Sequence, residues 1–205
     1  MNLLLRVLSA IILLPGVLWL FHQSHWPLIT LLGVIWILSL IEYARMIKTP
    51  NSIMLIGGIY ITAGIASLYF LREKAGFEAI LLVFIATWSS DTFAYFTGRA
   101  VGKHPMAPSI SPKKTWEGFI GGAIGCVLVP VLLRDLLLPL SLTDVLWVSI
   151  PCIVLAPLGD LIESKVKRVY GVKDSGKLLP GHGGILDRID ALLLTAPWAY
   201  IYFCL

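Results

Sequence analysis

Long apolar runs, separated by short polar segments, make up most of this chain. A membrane-spanning helix needs roughly 20 apolar residues, and seven runs approach or reach that length. They cover residues 3–21, 26–41, 52–71, 78–96, 118–139, 144–160 and 185–205. No cleavage site of small residues follows the first run, so we interpret it as a retained span. The pattern predicts an all-α, polytopic integral membrane protein with about seven transmembrane helices.

The composition is that of a membrane protein rather than a soluble domain. Hydrophobic residues make up 58% of the chain and charged residues 14%. A soluble domain is about half apolar and about a quarter charged. Three cysteines, Cys126, Cys152 and Cys204, lie in or beside apolar runs without metal-binding spacing. We expect them to be small apolar side chains without a chemical role.

The basic residues are sorted by membrane side. With seven spans, the N-terminus and segments 42–51, 97–117 and 161–184 share one side, and most lysines and arginines lie there. The opposite side keeps Arg72, Lys74 and Arg134. The positive-inside rule makes the crowded side cytoplasmic, at the inner membrane if the source is bacterial. No basic face carries interleaved aromatic residues, so the net charge of +4 does not indicate nucleic-acid binding.

Charge is concentrated between residues 160 and 190, where five of the twelve acidic residues lie. Asp187 and Asp190 are three residues apart, which places both carboxylates on one face of a helix. Asp160 ends the preceding predicted span on the same side. Mg²⁺ prefers carboxylate and phosphate oxygens, so these three residues form a candidate metal site, with a second or monovalent cation left open. The alternative, that acids merely stabilise a helix N-terminus, covers Asp187 and Asp190 but not Asp160.

Six basic residues share this stretch and suit phosphate binding. They are Lys165, Lys167, Arg168, Lys173, Lys177 and Arg188. Cations beside serine and glycine in a compact loop favour phosphate contact, although some serve topology alone. Residues 171–177 match a P-loop pattern, but Leu178 stands where Ser or Thr is required and no strand precedes it, which excludes that motif. His182, between glycines, contacts phosphate or metal, or only holds the turn; the sequence leaves these open.

A second polar segment follows the fourth span. Asp91 lies within that span, and an intramembrane acid is a functional candidate by default; the alternative is a salt bridge to Arg99 or a nearby lysine. Residues 111–115 read Ser-Pro-Lys-Lys-Thr and precede a predicted helix. Lys113, Lys114 and Thr115 therefore offer cations, a hydroxyl and a helix start to a phosphate. The alternative is a capped helix N-terminus carrying cytoplasmic lysines.

At these residues the chain resembles the phosphatidate cytidylyltransferases, also called CDP-diacylglycerol synthases. Their signature is a Ser, a spaced Lys-Arg, a Lys-Asp, then His-Gly-Gly and Asp-Arg-x-Asp. Here it reads Ser164, Lys167-Arg168, Lys173-Asp174, His182-Gly183-Gly184, Asp187-Arg188 and Asp190. The resemblance covers roughly residues 80–205. It divides the chain into an abbreviated N-terminal part, 1–77, and a catalytic part, 78–205.

The resemblance implies a nucleotidyltransferase that converts CTP and phosphatidate to CDP-diacylglycerol and pyrophosphate with Mg²⁺, as a homodimer. It implies that Lys167 and Arg168 neutralise phosphates and that Ser164 hydrogen-bonds to one. Asp187 and Asp190 complete the implied catalytic set. The implied substrate-binding residues are Asp91, Lys113, Lys114, Thr115, Lys173, Asp174, Lys177, His182 and Arg188.

Two other functions compete with this interpretation. One is a CTP-dependent kinase or cytidylyltransferase that acts on another membrane lipid, such as a polyprenol. The other is a transporter, which predicts charge near the bilayer midplane and repeated halves. Charge gathers at one membrane face and no repeat is evident in the sequence, so the enzyme is favoured.

Overall fold

A computed structural model describes residues 15–23, 25–49, 52–178 and 183–205. Most of these residues are helical. Helix α1 covers residues 15–22. The later helices are α2 (Trp26–Ile47), α3 (Ser52–Ala75), α4 (Phe77–Val101), α5 (Trp116–Leu137), α6 (Leu142–Val169), α7 (Leu186–Ile189) and α8 (Leu192–Cys204).

Within the described residues, α2 to α6 are five helices long and apolar enough to cross a membrane. They confirm the predicted helical membrane protein. Residues 3–14 of the first predicted span lie outside the described residues. The last predicted span, 185–205, is two short helices, α7 and α8, rather than one continuous helix. The break occurs where the Asp190 side chain accepts a hydrogen bond from the N–H of Ala191 at 2.7 Å, in competition with helical carbonyls.

Helix α6 is longer than the apolar pattern predicts. It begins at a capping box formed by Ser141 and Asp144 and continues through Val169. The expectation that Asp160 ends its helix is therefore wrong. Charged side chains beyond Asp160 do not stop the helix, and Lys167 and Arg168 lie in its last turn, where cations favour the helix dipole.

Glycines allow close packing between neighbouring helices. A Cβ atom at Gly122 of α5 would lie 2.9 Å from the backbone oxygen of Ser90 in α4, and one at Gly118 would lie 2.9 Å from that of Ala94. Gly64 likewise lies against Leu193, so that α3 packs on α8. Small residues of this kind let membrane helices approach through their backbones. Helix α6, which carries the polar site, packs against α4, α5 and α8.

A β-hairpin that the sequence pattern did not predict joins α4 to α5. Strands β1 (Pro105–Ala107) and β2 (Ser111–Thr115) pair antiparallel. The N–H groups of Lys103 and His104 donate to Glu117 Oε2 in the first turn of α5. The predicted helix start after Thr115 is confirmed, because its hydroxyl accepts from the N–H of Gly118 at 3.1 Å. The hairpin is thus held against the start of α5.

Candidate active site

One face of α6 carries four polar residues. Asp160, Glu163, Ser164 and Lys167 are spaced by three or four residues, so they line up along the helix. The Ser164 hydroxyl donates to Asp160 Oδ1 at 3.0 Å. On the other oxygen, Asp160 Oδ2 pairs with Lys114 Nζ of the hairpin at 2.5 Å. Two residues that are far apart in the sequence, one predicted to bind nucleotide and one to bind metal, are therefore brought together.

A cavity of about 300 Å³ surrounds the pair of Lys114 and Asp160. It is bounded by α4, the hairpin, α5 and α6. Five predicted site residues line it: Asp91, Lys113, Lys114, Thr115 and Asp160. Glycines of α5 form another part of its wall. A pocket of this size, with a few convergent charged groups on an otherwise apolar wall, is typical of a small-molecule site.

A second polar cluster lies further along α6. Lys167 Nζ is 2.6 Å from Asp187 Oδ1 and 3.3 Å from Glu163 Oε2. The side chains of Lys167 and Asp187 are only 9% and 7% exposed. A buried cation requires such partners, because an unpaired buried charge costs several kcal/mol. Lys167, predicted to neutralise phosphate, is therefore bound to carboxylates in this arrangement.

Asp187 also binds the backbone of the preceding loop. Its carboxylate accepts hydrogen bonds from the N–H groups of Ser175 at 3.0 Å and Gly184 at 2.8 Å. Burial acts to raise the pKa of Asp187. The hydrogen bonds from Lys167 and Gly184 outweigh it, so the pKa lies below its ordinary value. Asp187 is consequently an ionised carboxylate whose two oxygens already accept hydrogen bonds from the protein.

Asp190 has a different environment, although it is only three residues away. Burial raises the pKa of Asp190 above its ordinary value, and the negative charge of Asp160 raises it further. Helix α6 contacts the turn between α7 and α8 at Gly159, where an added Cβ atom would lie 2.5 Å from the Asp190 carbonyl oxygen. The negative charge of Asp160 thus disfavours ionisation of Asp190, and a divalent cation would remove that repulsion.

The donor chemistry fits Mg²⁺ bound partly by substrate. Among the described residues, no three His, Cys, Asp or Glu side chains form a group arranged to hold a metal ion. Mg²⁺ is commonly bound by one or two carboxylates, with water and substrate phosphates completing its shell. Asp160 and Asp190 match that pattern. The carboxylate of the expected third ligand, Asp187, is instead bound to Lys167, Ser175 and Gly184.

The other predicted residues differ in their surroundings. Lys173, Asp174, Lys177 and Arg188 are exposed. Arg168 instead links two loops, because its guanidinium donates to the carbonyl oxygens of Ile110 at 3.2 Å and Val172 at 3.0 Å. His182 lies outside the described residues. The sequence interpretation therefore did not foresee that Arg168 holds the hairpin to the loop after α6.

Two buried acids were missed by the sequence interpretation. Glu163 lies one helical turn from both Asp160 and Lys167, and that spacing was a signal that could have identified it. Glu42, in α2, is 7% exposed. It accepts hydrogen bonds from the Ser175 hydroxyl and from the N–H groups of Ile185 and Leu186. Its signal was an acid directly after the apolar run 26–41.

Comparison with known proteins identifies similar chains. The model of the Cytidylyltransferase family matches residues 51–205. A phosphatidate cytidylyltransferase of Staphylococcus epidermidis is 46% identical over 136 residues, covering 65% of this chain and 52% of the relative. One from Staphylococcus saprophyticus is 42% identical over 164 residues, with 77% and 63% covered. One from Brucella abortus is 45% identical over 138 residues, with 66% and 51% covered. The matched region thus spans little more than half the length of these relatives.

Proposed function

Because this chain belongs to the cytidylyltransferase family, we propose that it transfers CMP from CTP to phosphatidate and releases pyrophosphate. The observation that carries the proposal is the cavity in which Lys114 of the hairpin meets Asp160 of α6. It combines cations for a polyphosphate with a carboxylate for Mg²⁺. It is lined by the C-terminal half of α4 and by the start of α5, which are helices that can cross a bilayer, so a lipid can present its phosphate from the membrane.

The reaction needs no nucleophile from the protein. A phosphate oxygen of phosphatidate attacks the α-phosphorus of CTP. A new phosphorus–oxygen bond forms there, and the bond from that phosphorus to the oxygen leading to the β-phosphate breaks, so that pyrophosphate leaves with the electron pair. Catalysis then consists of holding two polyanions in line and neutralising their charge. The density of lysine and arginine in this part of the chain suits that task.

The cavity residues bind the nucleotide. Lys113 and Lys114 pair with its phosphates, the Thr115 hydroxyl contributes a hydrogen bond, and Asp91 orients the nucleotide from α4. Asp160 and Asp190 would hold Mg²⁺, whereas Asp187, the third ligand predicted from the sequence, is bound to Lys167 and the loop instead. The ion supplies positive charge to the phosphates. The pairing of Lys114 with Asp160 keeps both groups in place before substrates bind.

We assign the second cluster to the lipid phosphate, which would compete with Asp187 and Glu163 for Lys167. Ser164 and Lys167 stand on the α6 face that leads from the cavity towards α7. Arg168 holds the hairpin and the following loop together. The remaining predicted contacts are Lys173, Asp174, Lys177, His182 and Arg188. Lys173, Asp174, Lys177 and Arg188 are exposed, so they are assigned to the edge of the site, where substrates enter. His182 lies outside the described residues and stays a contact predicted from the sequence.

The site faces the cytoplasm in this proposal. Helices α2, α4 and α6 run in the same direction if α2 to α6 cross the bilayer in turn, so their C-terminal ends share one side. That side carries most of the basic residues, which the positive-inside rule assigns to the cytoplasm. CTP is a cytoplasmic solute, which agrees with this orientation. Seven spans, a cytoplasmic N-terminus and a homodimer complete the proposed arrangement.

An assay with purified full-length chain tests the function. The protein is incubated in detergent micelles with phosphatidate, Mg²⁺ and CTP labelled at the α-phosphorus. Label in the lipid together with free pyrophosphate supports the proposal. Label in free CDP together with a newly phosphorylated lipid indicates a CTP-dependent kinase instead. Transfer to polyprenyl phosphate but not to phosphatidate would identify a different lipid substrate.

A further inference from the structure

Glu42 is a buried carboxylate that lies before the region matched by the family. It belongs to α2, whereas the family match begins at residue 51. Only 7% of the residue is exposed. Its partners among the described residues are donors from the loop after α6 and from the start of α7. Oε2 accepts from the Ser175 hydroxyl and from the N–H of Leu186, each at 3.0 Å. Oε1 accepts from the N–H of Ile185 at 3.0 Å.

The environment of Glu42 is built for a carboxylate. No lysine, arginine or histidine of the described ranges lies within salt-bridge distance of it. Burying a carboxylate without hydrogen-bond donors is costly in free energy. For Glu42, three hydrogen bonds offset that cost. Two glycines also close around it. An added Cβ atom would lie 2.4 Å from Oε1 at Gly176 and 2.4 Å from Oε2 at Gly184.

The segment that surrounds Glu42 also surrounds Asp187. Ser175 donates its hydroxyl to Glu42 and its N–H to Asp187. Gly184 lies against Glu42 and donates its N–H to Asp187. Leu186, bound through its N–H to Glu42, directly precedes Asp187. Glu42 and Asp187 thus bind the same backbone segment, and Asp187 in turn pairs with Lys167.

We propose that Glu42 is a positioning residue, through which the N-terminal helix α2 fixes Asp187 and Lys167 in the active site. The effect of this role on turnover rests on the proposed function. Glu42 does not line the cavity. It acts by fixing the backbone from which Asp187 projects. The N-terminal part of the chain is therefore required for chemistry and not only for membrane insertion.

The kinetic test is Glu42→Gln, which keeps shape but turns an amide group towards backbone N–H donors. A displacement of about 1 Å at a reacting centre costs up to roughly 100-fold in rate, so we expect kcat to fall roughly 10- to 100-fold. KM for CTP should stay within about twofold, because the cavity lies among α4, the hairpin, α5 and α6. Glu42→Asp, which keeps the charge, should recover part of the loss. A folded Glu42→Gln variant with wild-type kcat overturns the proposal.

Two further variants make that test specific. Glu73→Gln is the matched control, because it removes one acid from an exposed position of α3, and it should retain wild-type kinetics. Ser175→Ala removes one of the three donors and leaves the carboxylate. It should lower kcat severalfold without changing KM for CTP. If Glu42→Gln cannot be purified in folded form, an unchanged kcat in Ser175→Ala overturns the proposal instead.

Amide hydrogen exchange separates this role from the proposed function. In the full-length chain, a peptide containing Ile185 and Leu186 should exchange roughly tenfold faster in Glu42→Gln than in wild type, because local opening exposes both N–H groups. It should be unchanged in Glu73→Gln. If wild type makes no CDP-lipid, the proposed function fails while the exchange result still decides the positioning role. Unchanged exchange in Glu42→Gln overturns that role even in an active enzyme.

Discussion

Lys167 and Asp187 form a buried ion pair that joins α6 to α7, with Nζ and Oδ1 2.6 Å apart. Both side chains are more than nine-tenths buried. Both residues belong to the family signature, and each neutralises the charge of the other. It also means that a phosphate reaching Lys167 would compete with carboxylates for the ammonium group. We therefore expect Lys167 to affect stability in addition to its proposed contact with phosphate.

Lys167→Met tests the stabilising part of that role. The substitution keeps the length of the side chain but leaves Asp187 and Glu163 without their cation. Breaking a buried pair in this way costs about 3–5 kcal/mol, so the thermal midpoint in detergent should fall markedly. Lys165→Met, at an exposed position two residues away, should change stability by less than about 0.5 kcal/mol. Equal midpoints for the two variants would contradict the ion-pair assignment.

Asp187→Asn and Asp190→Asn should differ in stability although both lose activity. The folded protein favours the ionised form of Asp187 and disfavours that of Asp190. Removing the charge should therefore destabilise the first variant and leave the second as stable as wild type, or more so. Turnover should fall roughly 100- to 1000-fold in both, as for loss of a group that stabilises transition-state charge. Thermal unfolding and the labelled-CTP assay measure the two effects.

Asp135→Asn is the control for that comparison. Asp135 lies near the end of α5, and its side chain is 83% exposed. Neither its stability nor its turnover should change appreciably. If Asp190→Asn retains near wild-type turnover, Asp190 is not a metal ligand. If Asp187→Asn is as stable as wild type, the hydrogen bonds to its carboxylate contribute less than the pKa direction indicates.

Lys114→Gln should weaken CTP use. The lysine pairs with Asp160 inside the cavity, and its charge is proposed to bind phosphate. A charge-assisted hydrogen bond contributes about 1.5–3 kcal/mol, so kcat/KM for CTP should fall roughly 10- to 100-fold. Lys103→Gln, an exposed lysine ahead of the hairpin, should have little effect. Steady-state kinetics with varied CTP measure both effects. Equal kcat/KM values for the two variants would remove Lys114 from the nucleotide site.

Metal dependence should be linked to substrate. Chelation with EDTA should abolish turnover, and added Mg²⁺ should restore it. Mg²⁺ alone should hardly change the thermal midpoint, because the described carboxylates do not form a complete ligand set. Mg²⁺ together with CTP should raise the midpoint clearly, since binding to the folded state is stabilising. A large shift with Mg²⁺ alone would instead indicate a preformed metal site.

The accuracy of the sequence interpretation depended on the local character of each segment. The apolar runs predicted α2 to α5 well, because a bilayer selects any apolar stretch of sufficient length. They ended α6 too early, at Asp160, since charged residues beyond it look like a loop. The hairpin was missed because Ser-Pro-Lys-Lys-Thr has no alternating apolar pattern and contains a proline. The residues directly before the hairpin, Lys103 and His104, are held by Glu117 of α5, a contact that no local pattern shows.

The sequence by itself determined that this is a helical membrane protein, and it predicted which side the basic residues share and which residue types carry the chemistry. These follow from local patterns, namely apolar length, charge bias and motif spacing. Only the tertiary structure decided the partners: Lys114 with Asp160, Lys167 with Asp187, and Glu42 with the loop around Asp187. Such pairs depend on how helices distant in the sequence pack together. Spacing along one helix cannot specify that packing, and a buried charge accepts whichever partner the packed fold brings within hydrogen-bonding distance.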